Sequence, residues 1–226
     1  LDAPIDSAPL CRRVTPGSTV ALVVSDMSRF WMRQDLVVPH LVDYLTQRCG
    51  GSERDITIVI ANGTHTGGDE AELRTLVTDA VYDRITVENH NCESEDLVYL
   101  GTTPHGTPVS INRTAALADM VICLGAATHH VMAGFGGGRK SILPGISGRE
   151  TIFHNHAFSL DAAALRSNPA VGNGILQGNP LHEDMCEAAG LVKNLFMVNL
   201  VMNTQMRLAA IFSGHYLTSW ERACRT

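Results

Sequence analysis

The chain has 226 residues, 45% hydrophobic and 18% charged, a make-up that excludes a disordered or fibrous protein. That length accommodates one large α/β domain or two small ones around a sizeable core. Seventeen basic against 23 acidic residues, net −6 with no Lys/Arg run, exclude a protein that grips nucleic acid by its backbone.

In chain order, apolar spacing predicts a strand over Thr19–Ser25, a helix over Val38–Gln47, a strand over Asp55–Ala61 and a helix over Glu70–Thr78. Weaker strands follow over Ile85–Asn89, Leu97–Gly101 and Pro108–Asn112, then a helix over Arg113–Ala118. A strong strand over Met120–Gly125, a helix over Leu181–Ala189, a strong strand over Leu195–Met202 and a weak one over Arg207–Phe212 complete the series. Strands alternating with helices predict an α/β fold, a mostly parallel sheet flanked by helices. In such sheets ligands meet the carboxyl ends of the strands, so chemistry is expected in the loops after them.

No apolar stretch reaches the roughly 20 residues of a membrane helix. Six cysteines (Cys11, Cys49, Cys92, Cys123, Cys186, Cys224) include no C-x-x-C pair, and Cys123 in VICLGA reads as a reduced core thiol. A chain of this size needs no disulfide framework, so a reducing cytoplasm is the expected compartment. The opening LDAPIDSAPL carries no signal-peptide pattern, and the closing SWERACRT reads as a helix still in progress. Both ends are those expected of a piece of a longer chain.

Ten histidines and twenty glycines are the unusual entries in the composition, and they gather after strands. Ser25-Asp26-Met27-Ser28-Arg29 follows the first strand and offers a carboxylate and a guanidinium fork, as either an anion site or a capped surface turn. Asn62-Gly63-Thr64-His65 follows the second. After Met120–Gly125 come His129 and His130, then Gly134, Gly136, Gly137 and Gly138 leading into Arg139-Lys140-Ser141, with His154 and His156 beyond. Backbone N–H groups of such a loop can cradle a phosphate. Gly134–Ser141 nearly matches the nucleotide-phosphate loop G-x-x-x-x-G-K-[ST], but Arg139 replaces its last glycine and Pro144 would obstruct the helix that must follow. Zinc-ligand patterns are absent too, and on a helix His154 and His156 would diverge, leaving at most one as a ligand of a given metal.

Taken together, SDMSR (Ser25–Arg29), NGTHTG (Asn62–Gly67), HVMAGFGGGRKSILPG (His130–Gly145), TIFHNH (Thr151–His156) and NPLHEDM (Asn179–Met185) resemble the nickel-dependent lactate racemases and their relatives acting on 2-hydroxy acids. The resemblance covers most of residues 1–226 and implies the amino-terminal, cofactor-binding domain of a two-domain enzyme, without its C-terminal domain. It implies a nickel pincer nucleotide, a pyridinium mononucleotide matured by dedicated cofactor-building enzymes. Lys140 would carry it through a thioamide, and His156 would ligate the nickel. His65 and His130 would be the paired acid–base residues. Asp26 and Arg29 would sit by cofactor and substrate, with Arg29 meeting the carboxylate, and Gly136, Gly137 and Gly138 would let the backbone approach the cofactor. The implied reaction takes the α-hydrogen as hydride through a 2-keto acid, each histidine serving one enantiomer. Two readings compete: a phosphate- or nucleotide-binding module without catalysis, and a His-based metal hydrolase.

Overall fold

The computed structural model describes residues 1–226. Strands β1 (Val20–Ser25), β2 (Ile56–Ala61) and β3 (Thr86–Asn89) alternate with helices α1 (Leu10–Arg13), α2 (Val38–Asp43), α3 (Glu70–Val77) and α4 (Asp79–Tyr82). A hairpin of β4 (Val98–Thr102) and β5 (Pro108–Ile111) leads through α5 (Arg113–Leu117) to β6 (Met120–Ala126). Next come β7 (His129–His130), β8 (Ala133–Phe135) and α6 (Arg149–Ala157), then the two-residue strands β9 (Leu160–Asp161), β10 (Arg166–Ser167) and β11 (Gly172–Asn173). Helix α7 (Pro180–Gly190) precedes β12 (Leu195–Met202), β13 (Leu208–Gly214) and α8 (Thr218–Cys224).

The main sheet has the order β13-β12-β6-β1-β2-β3. Its neighbours run parallel except β13, which lies antiparallel on β12 as an edge. Side-chain alternation divides the strands between two cores. Leu22, Val24, Ile58, Ile60 and Ile122 pack with α2 and α3 on one face. Ala21, Val23, Val59, Val121 and Cys123 pack with α5, α6 and α7 on the other. With both faces covered, β1, β2 and β6 are apolar at nearly every position, which is why they were the clearest strands in the sequence. Side-chain caps start three of the helices: Asp69 on α3, Asn112 on α5 and Asn179 on α7.

Three features depart from expectation. The helix expected over Val38–Gln47 ends as α at Asp43 and continues through Tyr44–Arg48 as a wider π-type turn. Cys49 follows and is bonded to Cys11, a pairing that the sequence did not single out: packing of Leu10, Val14 and Leu45 in one core brings the two Cα atoms to 4.5 Å, while Cys123 is a free buried thiol as expected. Helix α6 was not anticipated. It buries Thr151, Ile152 and Asn155 while Phe153 faces out, so it carries no apolar stripe for spacing to reveal.

The connections place a switch point beside β1. The chain runs outward from β1 to β2 and β3, then returns to the opposite side of β1 with β6 and β12. The crevice outside the carboxyl ends of β1 and β6 is where an open α/β sheet receives a ligand.

Candidate active site

A cavity of about 360 Å³ opens in that crevice, between the turn after β1, the loop after β2, the glycine-rich loop after β8 and α6. Of the nine residues expected at the site, Asp26, Arg29, His65, His130, Gly136, Gly137, Lys140 and His156 line it. Gly138 does not.

The loop after β2 is fixed from beneath. Asn62 is buried and donates to the Asn89 side chain and the His90 carbonyl, and Gly63 N–H donates to Gly145 O at 2.8 Å. This hands His65 to the turn after β1, where its Nδ1 lies 2.5 Å from Asp26 Oδ2. The other oxygen, Asp26 Oδ1, accepts from Ser28 Oγ at 2.6 Å, and Arg29 Nη1 donates to that Oγ at 2.9 Å. Asp26 is thus chiefly the partner of His65. Arg29 has no carboxylate within ion-pair distance and stays exposed at the cavity mouth.

Strands β7 and β8 meet in a tight antiparallel turn that folds two backbone N–H groups, of Met132 and Ala133, onto His130 Nδ1 at 3.2 and 3.1 Å. Burial, followed by the positive charges of Lys140, Arg139 and Arg29, pushes His130 down to about 4. His129 turns the other way, stacked on Phe135 and bonded to Asn173 outside the cavity. Spacing had favoured His130 of the two, and it is the one that lines the site.

The glycine-rich loop is built around Arg139, which is fully buried without a carboxylate partner. Its guanidinium donates to the carbonyls of Ala133 and Phe135 and to His182 Nδ1, and lies 4.0 Å over the Trp220 ring. Trp220 donates in turn to Gly136 O at 2.8 Å. Two of the glycines answer to packing. A Cβ on Gly137 (φ +69°) would come within 2.6 Å of Ala126 O, and one on Gly138 (φ +54°) within 2.5 Å of Trp220. Packing against Trp220 thus requires glycine at Gly138, which lies behind the cavity lining.

Lys140 follows, held by the last turn of this loop. Burial, then Arg139 and Arg29, lowers it to about 7, so much of its amine is uncharged near neutrality. His156 sits on α6 and donates its Nδ1–H to Ile152 O at 2.9 Å, which leaves a lone pair on Nε2. Burial, then Lys140, lowers its pKa. His154, two residues earlier on the same helix, points away toward Glu150.

The NPLHEDM segment supplies support. Asn179 caps α7 and holds Met132 O, His182 accepts from Arg139, and buried Asp184 accepts from Thr103, Thr107 and Asn155. Asp184, His105 and Glu187 are the one group of metal-ligand type whose donor atoms lie within 4.8 Å of one another, and it lies outside the cavity. Sequence reasoning missed Ser28 and Trp220, and it saw Arg139 only as a departure from a phosphate loop. Ser28 was within a quoted motif; Trp220 was in none.

Residues 1–167 match the family described as the lactate racemase N-terminal domain. Over 225 residues, 99% of the chain, it is 30% identical to the lactate racemase of Thermoanaerobacterium thermosaccharolyticum and 29% identical to that of Lactiplantibacillus plantarum. The chain spans about half the length of these curated relatives, 51% of each. Its fold matches the lactate racemase apoprotein of T. thermosaccharolyticum with a TM-score of 0.90 at 29% identity, covering 100% of this chain and 52% of that one. A Thermotoga maritima protein shares the fold, with a TM-score of 0.74 at 23% identity over 94% of this chain and 54% of that one. With the motifs, the sheet and the family model in agreement, the chain belongs to the lactate racemase N-terminal domain family.

Proposed function

We propose that this chain is the amino-terminal half of a racemase or epimerase acting on a small 2-hydroxy acid, lactate or a relative. One observation carries the reading: the Asp26–His65 pair, His130, Lys140 and His156 converge on a single cavity at the sheet's switch point.

The proposed cofactor is a nickel pincer nucleotide, attached at Lys140 and ligated through its metal by His156. The donor atoms fit such a group. His156 spends its Nδ1–H on a backbone carbonyl and keeps Nε2 free, the state of a metal-binding imidazole. Lys140 offers an amine that burial keeps partly neutral, the form able to make a covalent bond. When bound, the group supplies a site that takes up and returns hydride.

The chain's own residues account for the rest. Arg29, free of any ion pair, meets the substrate carboxylate with its fork. His65 and His130 meet the hydroxyl as the acid–base pair. The α-hydrogen of a 2-hydroxy acid is too weakly acidic to leave as a proton, so it leaves as hydride while the hydroxyl loses its proton to an imidazole. A metal hydrolase would need three protein ligands converging at this cavity, and no such set of donor atoms lies within 4.8 Å there. A phosphate-binding module would leave the Asp26–His65 pair without a task.

The test is intact-mass and metal analysis of protein produced together with the cofactor-building enzymes, the partners this reading requires. We expect a covalent adduct that is lost in Lys140→Ala, and nickel that is lost in His156→Ala. Lys193 is the only other lysine, so peptide mapping locates the adduct directly. Tightly held zinc with no lysine adduct would overturn the proposal.

A further inference from the structure

Asp26 and Arg29 carry opposite charges three residues apart in the turn after β1, yet the guanidinium does not close on the carboxylate. The Ser28 hydroxyl stands between them. Arg29 Nη1 lies 2.9 Å from Ser28 Oγ, and a guanidinium only donates, so Oγ accepts that bond. Its own proton then goes to Asp26 Oδ1 at 2.6 Å, because an ionised carboxylate only accepts. Both bonds therefore have a fixed direction, from guanidinium to hydroxyl to carboxylate. The other oxygen, Asp26 Oδ2, meets His65 Nδ1 at 2.5 Å, and by the same argument the ring proton is on Nδ1. Arg29 has one further contact in the turn, the Ser28 carbonyl at 3.3 Å from Nη1.

The alternative to this arrangement is visible a few residues on. Arg33 closes on Asp35 as a two-point pair, Nε on Oδ1 at 2.9 Å and Nη2 on Oδ2 at 2.8 Å. The same closure between Arg29 and Asp26 would occupy both oxygens of Asp26, release His65 and use up the fork. The Asp26 side chain is only 13% exposed, so water would screen such a pair poorly. Ser28 gives each partner a bond to a neutral group instead. A hydroxyl holds a guanidinium less firmly than a carboxylate does, so an incoming anion can take the fork over.

We infer that Ser28 is a positioning residue, a spacer whose hydroxyl keeps Arg29 open to an anionic ligand and keeps Asp26 turned toward His65. The inference deepens the hydroxy acid reading and rests on it for what the fork receives. In a 2-hydroxy acid the carboxylate and the hydroxyl sit on adjacent carbons, so the groups that meet them must be held in register. Ser28 supplies that register, joining Arg29 to His65 in one hydrogen-bonded line through Asp26. Threonine offers the same hydroxyl at this position, and alanine removes it.

The position of the His65 ring proton reports the arrangement. It is read in the cofactor-free chain by long-range proton–nitrogen correlation spectra of protein labelled with nitrogen-15 histidine, at mildly alkaline pH. His65→Gln assigns the signals by their loss. We expect the proton on Nδ1 in wild type and in Ser28→Thr. In Ser28→Ala it should move toward Nε2, the tautomer that a free imidazole prefers, because Arg29 closes on Asp26. The double variant Ser28→Ala with Arg29→Gln has no charge to close and should return the proton to Nδ1. A proton that stays on Nδ1 in Ser28→Ala, or that does not return in the double variant, would overturn the inference. Ser28 is exposed, so Ser28→Ala should melt within about 2 °C of wild type, which separates the effect from loss of fold. In the loaded enzyme, Ser28→Ala should raise KM for the hydroxy acid about tenfold or more and lower kcat as well, with Ser28→Thr close to wild type in both. Equal losses in the alanine and threonine variants would overturn the role of the hydroxyl. The expected spectra in a loaded wild-type protein that turns over no 2-hydroxy acid would overturn the functional reading alone.

Discussion

Trp220 donates its indole N–H to the Gly136 carbonyl at 2.8 Å and so ties α8 to the glycine-rich loop 84 residues earlier. The same ring forms the floor under the Arg139 guanidinium and the wall against which Gly138 closes. The segment carrying Lys140 is therefore held by a helix that lies beyond the family-matched residues 1–167.

Trp220→Phe keeps most of the buried volume but orphans the Gly136 carbonyl. It should lower stability by about 1–3 kcal/mol, the cost of an unsatisfied buried acceptor. Trp220→Ala adds a cavity and should cost about 3–5 kcal/mol. Urea unfolding curves measure both. Equal stability of Trp220→Phe and wild type would show that the indole bond contributes nothing.

The glycines of the loop separate by what surrounds them. Gly137→Ala and Gly138→Ala each combine a left-handed backbone with a Cβ forced against Ala126 O or the Trp220 ring. Each should cost about 1–3 kcal/mol or more. Gly136→Ala meets nothing closer than 3.4 Å, the methyl of Thr128, and should cost under about 1 kcal/mol. Melting temperatures of the three variants should rank Gly136→Ala well above the other two, and a reversed order would contradict the packing described.

The fold was legible where burial is two-sided. β1, β2, β6 and β12 appear in the sequence as unbroken apolar runs because helices cover both faces of the sheet. The cavity residues were legible because they sit in the loops that follow those strands, loops rich in His and Gly. Helix α6 was not legible, since its buried face holds Thr151 and Asn155, whose hydroxyl and amide N–H groups donate to Pro108, Leu181 and Asp184. Nor was the role of Arg139 or Trp220. The imidazole and indole beside the buried Arg139 guanidinium come from His182, 43 residues on, and from Trp220, whose indole bonds Gly136 across 84 residues, and local spacing carries no trace of either.

Buried Asp184 joins three elements: the β4–β5 turn through Thr103 and Thr107, α6 through Asn155, and its own α7. Asp184→Ala removes the acceptor for three donors and should cost about 3 kcal/mol or more. Asp184→Asn keeps the shape and one carbonyl oxygen and should cost less. Hydrogen exchange should show the β4–β5 hairpin losing protection first in Asp184→Ala; uniform loss across the sheet would show that Asp184 does not act locally.

Acid should unfold the protein through histidines that are buried neutral. Burial, then Arg139, holds His182 down at about 4, and burial with three nearby cations does the same for His130. An unfolded histidine titrates near about 6.5, so below that pH the unfolded chain binds more protons than the folded one. Stability should therefore fall as pH drops from about 6.5 to about 4. His182→Gln, whose amide oxygen can still accept from Arg139, should flatten that fall. An unchanged slope in urea unfolding across the window would remove His182 from the account.

Lys140 gives the opposite window. Burial with Arg139 and Arg29 alongside lowers it to about 7, whereas an unfolded lysine titrates near about 10.4. Below about 7 the amine is charged in both states, and the folded protein bears the full penalty of a desolvated charge among cations. Between about 7 and 10.4 the folded amine is neutral while the unfolded one is still protonated, so the unfolded chain binds more protons and stability rises with pH. Lys140→Met removes the penalty and keeps the length of the side chain. It should be more stable than wild type at and below neutral pH, with its advantage shrinking steadily above about 7 and gone by about 10.4. Such a gain would mark Lys140 as a residue kept against stability, as expected where a site needs a reactive amine. Stability equal to wild type at pH 6 would mean that solvent reaches the ammonium, and Lys140 would lose its standing as a partly neutral amine.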